Sequence, residues 1–242
     1  MSKNALVIGA GGGIASALIQ KLVDSEHYQR IYTVSRGQVS KPHALQQHQA
    51  FDTADADAVV NYIKGLKADG VSLDYVVCAT GILHQSGDMQ LKPEKRLEDM
   101  NTTQFAEYFR VNTVLPAIWL QQLVKVVSKD SATIVFFSAR VGSISDNALG
   151  GWYGYRASKA ALNMLVKTAA IEYKRRSANT ILVCYHPGTV DTELSKPFQA
   201  NVKPEKLFTA EFTSESLLKV TSNLNPENSP YYLDWKGEQI PW

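Results

Sequence analysis

The sequence has few of the residues that build metal or disulfide frameworks. Its 242 residues include only two cysteines, Cys78 and Cys184. No CxxC pair or Cys/His group has the spacing of a metal site. Both cysteines end apolar runs, so we expect two buried free thiols in a reducing compartment, and no bound metal.

Long apolar runs and a large excess of charge are also missing. No segment approaches the ~18 consecutive apolar residues of a membrane span, and the formal net charge is only +2. The early stretch ALVIGAGGGIASALIQ is similar to a secretory leader, but glycines interrupt its apolar run. We therefore expect a cytoplasmic protein whose partner is neither nucleic acid nor a membrane.

Apolar segments of strand length alternate with helical patterns along the whole chain. We expect strands at 4–9, 30–35, 48–51, 73–79, 132–138, 180–186 and 231–233. We expect helices at 13–23, 56–67, 103–128, 153–176 and 214–222. Because the strands are apolar on both faces, the alternation predicts an α/β fold in which helices cover both faces of a doubly wound parallel sheet. No linker divides the chain, so residues 1–242 are predicted to form one domain.

A glycine-rich turn, GAGGGIA, follows the first predicted strand and opens the first predicted helix. Its glycines, Gly9, Gly11, Gly12 and Gly13, permit a tight turn and close backbone approach. The helix N-terminus then offers free N–H groups to a pyrophosphate. A plain tight turn would explain the glycines alone, but their position in a strand–helix alternation favours dinucleotide binding.

The end of the second predicted strand indicates which dinucleotide is bound. An acidic residue here would hold the ribose hydroxyls of NAD, but the chain has Ser35 and Arg36 instead. The guanidinium of Arg36 could pair with a 2′-phosphate, so NADP(H) is favoured over NAD(H), although a solvated surface arginine is the alternative. Asp52 is predicted either to accept from the adenine amino group or to cap the following helix.

Two residues of the fifth predicted helix, Tyr155 and Lys159, are four positions apart and project from one face. A free tyrosine has a pKa near 10 and is a poor base at neutral pH. An ammonium about 4 Å away would stabilise the phenolate enough to lower that pKa by roughly two to three units. The pair is thus predicted to pass a proton, and the alternative is a packed tyrosine beside a surface lysine.

Taken together, the motifs resemble those of the short-chain dehydrogenase/reductase family. The resemblance is carried by GAGGGIA, VNTVLP, YRASKAALN and HPGTVDT, which follow the family's order. The segment 138–156 and the ending DWKGEQIPW are similar to the C-factor-like carbonyl reductase branch. The resemblance implies a Rossmann-like sheet of about seven strands and NAD(P)(H)-dependent interconversion of alcohols and carbonyls.

The resemblance also implies roles for individual residues. Tyr155 would be the acid/base, Lys159 would bind the nicotinamide ribose and lower the tyrosine pKa, and Asn112 would hold a water that links Lys159 to solvent. The complete cofactor-binding set is then Gly9, Gly11, Gly12, Gly13, Ile14, Ser35, Arg36, Asp52, Ala79, Gly81, Tyr155, Lys159, Pro187, Gly188, Val190 and Thr192.

Three departures from the family pattern stand out. The last glycine of the turn is Ala15, and the usual NNAG after the fourth strand is CATG. The third departure is Ala139, which occupies the position of the usual catalytic serine. Losing such a donor typically costs about 10²–10³ in rate. Ser138 is predicted to take over this role, with Ser143 or a water molecule as the alternatives.

Residues 192–212 are predicted to form a lid over the substrate. The aromatic residues of this segment suggest an apolar or aromatic ketone. By analogy with the family, the long helices would pair subunits into a homodimer or homotetramer. The sequence thus predicts an NADP(H)-dependent carbonyl reductase acting on a small molecule. The alternative, kept open by Ala139, is a cofactor-binding signalling protein with little turnover.

Overall fold

In a computed structural model of the chain, which describes residues 3–39, 42–85 and 90–242, seven parallel strands form the central sheet. Their spatial order is β3-β2-β1-β4-β5-β6-β9, so the order reverses between β1 and β4. The strands are β1 (Lys3–Ile8), β2 (Tyr28–Ser35), β3 (Gln46–Ala50), β4 (Tyr75–Cys78), β5 (Ala132–Phe137), β6 (Thr180–His186) and β9 (Tyr231–Asp234). The prediction of a doubly wound parallel sheet is confirmed.

Helices cover both faces of this sheet. They are α1 (Gly13–Asp24), α2 (Ala56–Ala68), α3 (Thr102–Phe109), α4 (Leu115–Leu123), α5 (Tyr153–Arg176) and α6 (Ala210–Thr221). The helix α2 starts where Asp55 accepts hydrogen bonds from the N–H groups of Asp57 and Ala58. Three basic residues in the last turn of α5 complement the negative end of its dipole.

The first strand shows why its sequence is apolar without alternation. Leu6 and Ile8 belong to the core between the sheet and helices α2, α4 and α5. Ala5 and Val7 belong to the core on the opposite face, beneath α1 and α6. All four side chains are fully buried, so a central strand needs apolar residues at every position.

The long helix predicted at 103–128 is divided in the structure. A π-helical segment, Arg110–Val114, separates α3 from α4, and α4 ends at Leu123. The chain from 124 to 127 turns back, and Val127 bridges to Leu73 beside the sheet. Buried Val126 and Val127 continue the apolar pattern beyond the end of α4. The predicted helix is therefore too long at its C-terminal end.

Two short strands, β7 (Thr189–Val190) and β8 (Leu207–Phe208), pair in parallel beyond the end of β6. The chain between them forms 3₁₀ turns at Lys196–Asn201 and Pro204–Lys206. This region contains most of the predicted lid, and the strand pair joins the two ends of the intervening segment to each other.

No helix in the described part of the chain is long and apolar enough to cross a bilayer. Both cysteines are buried free thiols, as the sequence predicted.

Candidate active site

A cleft of about 650 Å³ opens at the carboxyl ends of the strands. It lies where the strand order reverses between β1 and β4, the usual ligand position in doubly wound sheets. We call the part of the cleft around the glycine turn and the end of β2 the nucleotide end, and the region of α5 that adjoins the cleft at Gly81 the chemical end. The predicted cofactor residues that line the cleft are Gly9, Gly11, Gly12, Ser35, Arg36, Asp52, Ala79 and Gly81.

The glycine turn is shaped by one close approach of its backbone to the loop after β4. Gly9 has φ +84°, and a Cβ there would lie 2.9 Å from Cγ2 of Thr80. Gly12 caps α1 without any side-chain hydrogen bond, so the first N–H groups of the helix, including that of Ile14, keep no side-chain partner. A Cβ on Gly11 would meet no protein atom within 4 Å. This open space above a free helix N-terminus fits a pyrophosphate.

At the end of β2, Ser35 is buried, and its hydroxyl donates to the carbonyl of Gly37 at 2.8 Å. Arg36 is exposed beside the cleft and forms no ion pair with any described residue. Among the described residues, the Asp52 carboxylate accepts a hydrogen bond only from the nearby Ala54 N–H, at 3.0 Å. The cap of α2 is Asp55 instead, so the helix-cap alternative for Asp52 is wrong.

At the chemical end, α5 brings Tyr155 and Lys159 together on its buried face. The Lys159 ammonium lies 5.9 Å from the centroid of the Tyr155 ring and donates to the Phe137 carbonyl at 2.8 Å. A Cβ on Gly81 would lie 3.4 Å from Nζ of Lys159 and 3.5 Å from Oδ1 of Asn112. Gly81 thus leaves space where the cleft meets both polar groups.

Burial governs the protonation of this pair. Desolvation lowers the pKa of Lys159 from 10.5 to about 8. Desolvation also raises the pKa of Tyr155, and the neighbouring Tyr108 and Tyr232 add to the effect. The expected lowering of the Tyr155 pKa by Lys159 is therefore not found here, because burial outweighs an ammonium that is directed at a carbonyl.

Asn112 lies in the π-helical segment and is fully buried. Its Oδ1 accepts the Ile82 N–H at 2.8 Å, while its Nδ2 donates to the Ile82 carbonyl at 3.0 Å and to Ser158 Oγ at 3.1 Å. The side chain thereby ties the loop after β4 to α5. The π turn holds this amide in place, as such turns often do at functional sites, while its water-holding role stays a prediction.

The segment after β5 does not direct a serine hydroxyl at Tyr155. The buried Ser138 hydroxyl donates to Asn163 Oδ1 at 2.6 Å. Ser143 donates to the Pro241 carbonyl at 2.5 Å. Ala139 instead packs in the apolar cluster that contains Tyr155. This arrangement gives Ser138 a structural hydrogen bond, and its catalytic role stays a prediction without support from the geometry.

The HPGTVDT segment reaches the cleft beside the glycine turn. A Cβ on Gly13 would lie 3.2 Å from Cγ2 of Thr192, so two motifs 179 positions apart in sequence meet here. Gly188 has φ +78°, and a Cβ there would lie 2.6 Å from the Phe208 ring. Pro187 precedes this turn, and buried Val190 pairs with Phe208 in the small sheet.

An aromatic cluster that sequence reasoning missed surrounds the catalytic tyrosine candidate. The Tyr155 ring packs edge-on against Tyr108 at 6.2 Å and against Trp152 at 6.1 Å. Phe198, from the predicted lid, packs on Trp152 at 5.1 Å and on His84 at 5.7 Å. Trp152 immediately precedes the helix of the YxxxK pair, and this position was a usable signal. Tyr108 and Phe198 carried none, because only the fold brings them near.

Within the described ranges, no group of three or more histidine, cysteine, aspartate or glutamate side chains could hold a metal ion.

A family profile described as short chain dehydrogenase matches residues 3–203 of the chain. The C-signal protein of Myxococcus xanthus is 29% identical over 147 residues, which cover 60% of this chain and 83% of that protein. A 1-hydroxy-2-glutathionyl-2-methyl-3-butene dehydrogenase of Rhodococcus sp. (strain AD45) is 27% identical over 239 residues, covering 98% of both chains. These similarities confirm the predicted family resemblance and agree with its C-factor-like branch.

Among solved structures, an NADPH-bound carbonyl reductase from chicken fatty liver superposes with a TM-score of 0.83. The two sequences are 23% identical, and the superposition covers 100% of this chain and 99% of the chicken liver enzyme. At that identity the likeness establishes the shared fold.

Proposed function

Because the chain belongs to the short-chain dehydrogenase family, we propose that it is an NADP(H)-dependent oxidoreductase that interconverts a carbonyl and a secondary alcohol. One observation carries the proposal: the cleft that opens on a glycine turn and a free helix N-terminus extends to Gly81, and the buried pair Tyr155 and Lys159 lies directly behind that glycine. A packed tyrosine and a surface lysine do not describe this pair, since both side chains are buried beside the cleft.

The residues of the nucleotide end suit each part of a dinucleotide. The N–H groups of the Gly11–Ile14 turn would hold the pyrophosphate, with Thr192 beside them. Asp52, which lines the cleft, would face the adenine, and Lys159, which lies next to Gly81, would bind the nicotinamide ribose. When bound, the nicotinamide supplies or accepts the hydride of the reaction.

Arg36 supports NADP(H) over NAD(H). Its guanidinium is exposed next to buried Ser35, at the position where an NAD-binding chain carries an acidic residue. Free of ion pairs with the described residues, it is available to a 2′-phosphate. The NADPH bound to the chicken liver carbonyl reductase agrees with this assignment.

In the reducing direction, Tyr155 donates its phenolic proton to the carbonyl oxygen while hydride reaches the carbonyl carbon. Burial raises the pKa of Tyr155 and so keeps it protonated, which suits an acid. The Lys159 ammonium, whose pKa is about 8, lies 5.9 Å from the centroid of the Tyr155 ring and would stabilise the phenolate that forms. Asn112 anchors the loop that faces both groups.

The surroundings of Tyr155 favour an apolar or aromatic carbonyl substrate. Trp152, Phe198 and Ala139 belong to the apolar cluster around the tyrosine. Residues 192–212 would act as the lid, with Phe198 as the side chain that closes on Trp152. The alternative of a binding protein without turnover is not favoured, because such a protein has no need of a buried Tyr–Lys–Asn arrangement.

Turnover tests this proposal directly. Purified protein should consume NADPH in the presence of aromatic ketones or diketones, and NADH more slowly. Tyr155→Phe removes only the acidic hydroxyl, so kcat should fall by about 10²–10⁴-fold while NADPH still binds. A Tyr155→Phe variant as active as the wild type would contradict the proposal.

We further propose that the protein forms a homodimer or homotetramer in the cytoplasm. The outer face of α5 leaves three apolar side chains exposed, Met164, Leu165 and Ile171, which supports pairing between subunits.

A further inference from the structure

The helix that carries Tyr155 begins without a cap of its own. Its N-cap residue, Trp152, has a left-handed backbone (φ +53°) and makes no side-chain hydrogen bond to the helix. Such a conformation is strained for a residue that carries a Cβ. Other contacts must therefore hold the start of α5 in place.

Glu94 provides these contacts from a distant part of the chain. Its backbone carbonyl accepts the Trp152 N–H at 2.5 Å, and its carboxylate Oε2 accepts the Gly154 N–H at 3.1 Å. The glutamate lies 60 positions before Gly154, and only 1% of it is exposed. A carboxylate at a helix N-terminus gains both a charge-assisted hydrogen bond and a favourable interaction with the helix dipole.

The packing around this carboxylate leaves no spare room. A Cβ on Gly154 would lie 2.9 Å from Oε1 of Glu94 and 2.6 Å from Cδ2 of Tyr108. The Tyr108 ring also packs against Tyr155, and its hydroxyl donates to the Leu83 carbonyl at 2.8 Å. Glu94, Tyr108 and Gly154 therefore form one packed unit directly before Tyr155.

This cap is costly for the fold. The second carboxylate oxygen, Oε1, is buried without a hydrogen-bond partner among the described residues. A half-satisfied buried carboxylate loses solvation that its contacts do not fully return. A serine or threonine at the N-cap itself would stabilise the helix without burying a charged group. The cost indicates that the group serves the site rather than the stability of the domain.

We propose that Glu94 is a positioning residue of the reaction, a role that rests on the proposed oxidoreductase function. Acting through the peptides of Trp152 and Gly154, it fixes the first turn of α5 so that Tyr155 and Lys159 stay aligned with the cleft. Its oxygen atoms set the place of the tyrosine without taking part in the proton transfer.

Three variants test this role. Glu94→Ala removes the acceptor of the Gly154 N–H, and kcat should fall about 10- to 100-fold, as expected for a misplaced reacting group. The Kd for NADPH should change less than about threefold, because the nucleotide end is untouched. Glu94→Gln keeps an oxygen for Gly154, so its kcat should return to within about threefold of the wild type with the same pH profile.

The matched control is Asp55→Ala, which removes the acidic cap of α2. It should lower the melting temperature as Glu94→Ala does, yet leave kcat unchanged. The role of Glu94 is overturned if Glu94→Ala keeps the wild-type kcat, if Asp55→Ala loses as much, or if Glu94→Gln loses more than about tenfold. The glutamine variant alone decides the matter if the alanine variant does not fold.

Hydrogen exchange separates this inference from the proposed function. Amides 152–156 should exchange faster in Glu94→Ala than in the wild type, and at the wild-type rate in Glu94→Gln and Asp55→Ala. If the wild-type protein reduces no carbonyl, the proposed function fails, while exchange still shows whether Glu94 orders this turn. Unchanged exchange in Glu94→Ala would overturn the role of Glu94 regardless of activity.

Discussion

The nucleotide end of the cleft is built around a glycine turn, whereas the chemical end is surrounded by packed aromatic side chains. At Gly11 the space is open, and a methyl group would touch no protein atom. Around Tyr155, rings from three separate segments pack within 6.2 Å of one another or of the tyrosine. The two ends should therefore respond oppositely to mutation: the first is damaged by added atoms, and the second by removed ones.

Among the variants that test this contrast, the largest effect is expected from adding one methyl group at the nucleotide end. Gly11→Ala should leave the melting temperature unchanged, because the Cβ meets only open space. It would occupy the place of the pyrophosphate, so the Kd for NADPH should rise roughly 10- to 100-fold. Fluorescence titration measures this affinity.

Gly65→Ala is the control for that variant. Gly65 lies inside α2, and its Cβ would also meet no atom within 4 Å. The substitution should stabilise the protein by about 1 kcal/mol through helix propensity and leave NADPH affinity as it was. Equal affinities for the Gly11 and Gly65 variants would break the contrast between the two ends.

Removing an apolar ring at the chemical end should have a smaller and different effect. Phe198→Ala deletes the ring that packs on Trp152 and His84. The lost apolar contact should raise KM for an aromatic ketone about tenfold without altering the Kd for NADPH. If Phe198→Ala changed only the affinity for NADPH, Phe198 would contact the cofactor and not the substrate, and this prediction would be wrong.

Arg36→Ser tests whether the nucleotide end distinguishes the two dinucleotides. Losing one charge-assisted contact with a 2′-phosphate should weaken NADPH binding about tenfold, whereas NADH binding should hardly change. Parallel titrations with both cofactors give the ratio. If both affinities fall together, Arg36 contacts a group that the two dinucleotides share.

A final effect concerns the stability of the cofactor-free protein and comes from Lys159. Burial lowers its pKa from 10.5 to about 8, so between these values the unfolded chain binds more protons than the folded one. Folding stability due to this group should rise with pH from about 8 toward 10.5 and stay constant below 8. Lys159→Met lacks this titration.

Urea unfolding of both proteins across that pH range measures the difference. The free energy of unfolding of the wild type relative to that of Lys159→Met should increase only between about pH 8 and pH 10.5. A difference that is flat from neutral pH upward would mean that Lys159 is not desolvated as the structure indicates.

The two ends of the site also differ in how much of them could be predicted from the sequence. The glycine turn and the YxxxK pair are local patterns, so sequence placed Gly9–Gly13, Tyr155 and Lys159 correctly on their elements. The contacts of Glu94 with Gly154 and of Tyr108 with Tyr155 join residues tens of positions apart, and no periodicity reports them. The protonation of Tyr155 was misjudged for a related reason: charge spacing is visible in sequence, whereas desolvation depends on the surrounding fold.

The divided helix shows the same limit. Residues 103–123 read as one apolar pattern, and helix propensity alone cannot reveal a π turn. Its position depends on the amide of Asn112 meeting the main chain of Ile82, which is a tertiary contact.

That π turn has a consequence for insertions and deletions. It holds one residue more than the α turn it replaces, and the extra residue changes the phase of the helix between Tyr108 and Trp119. Tyr108 can then face α5 while Trp119 faces the main core. Deleting one residue there would regularise the helix but rotate one of these faces by roughly 100°. A chimera that borrows an unbroken helix from a relative would have to give up either the site contact or the core contact.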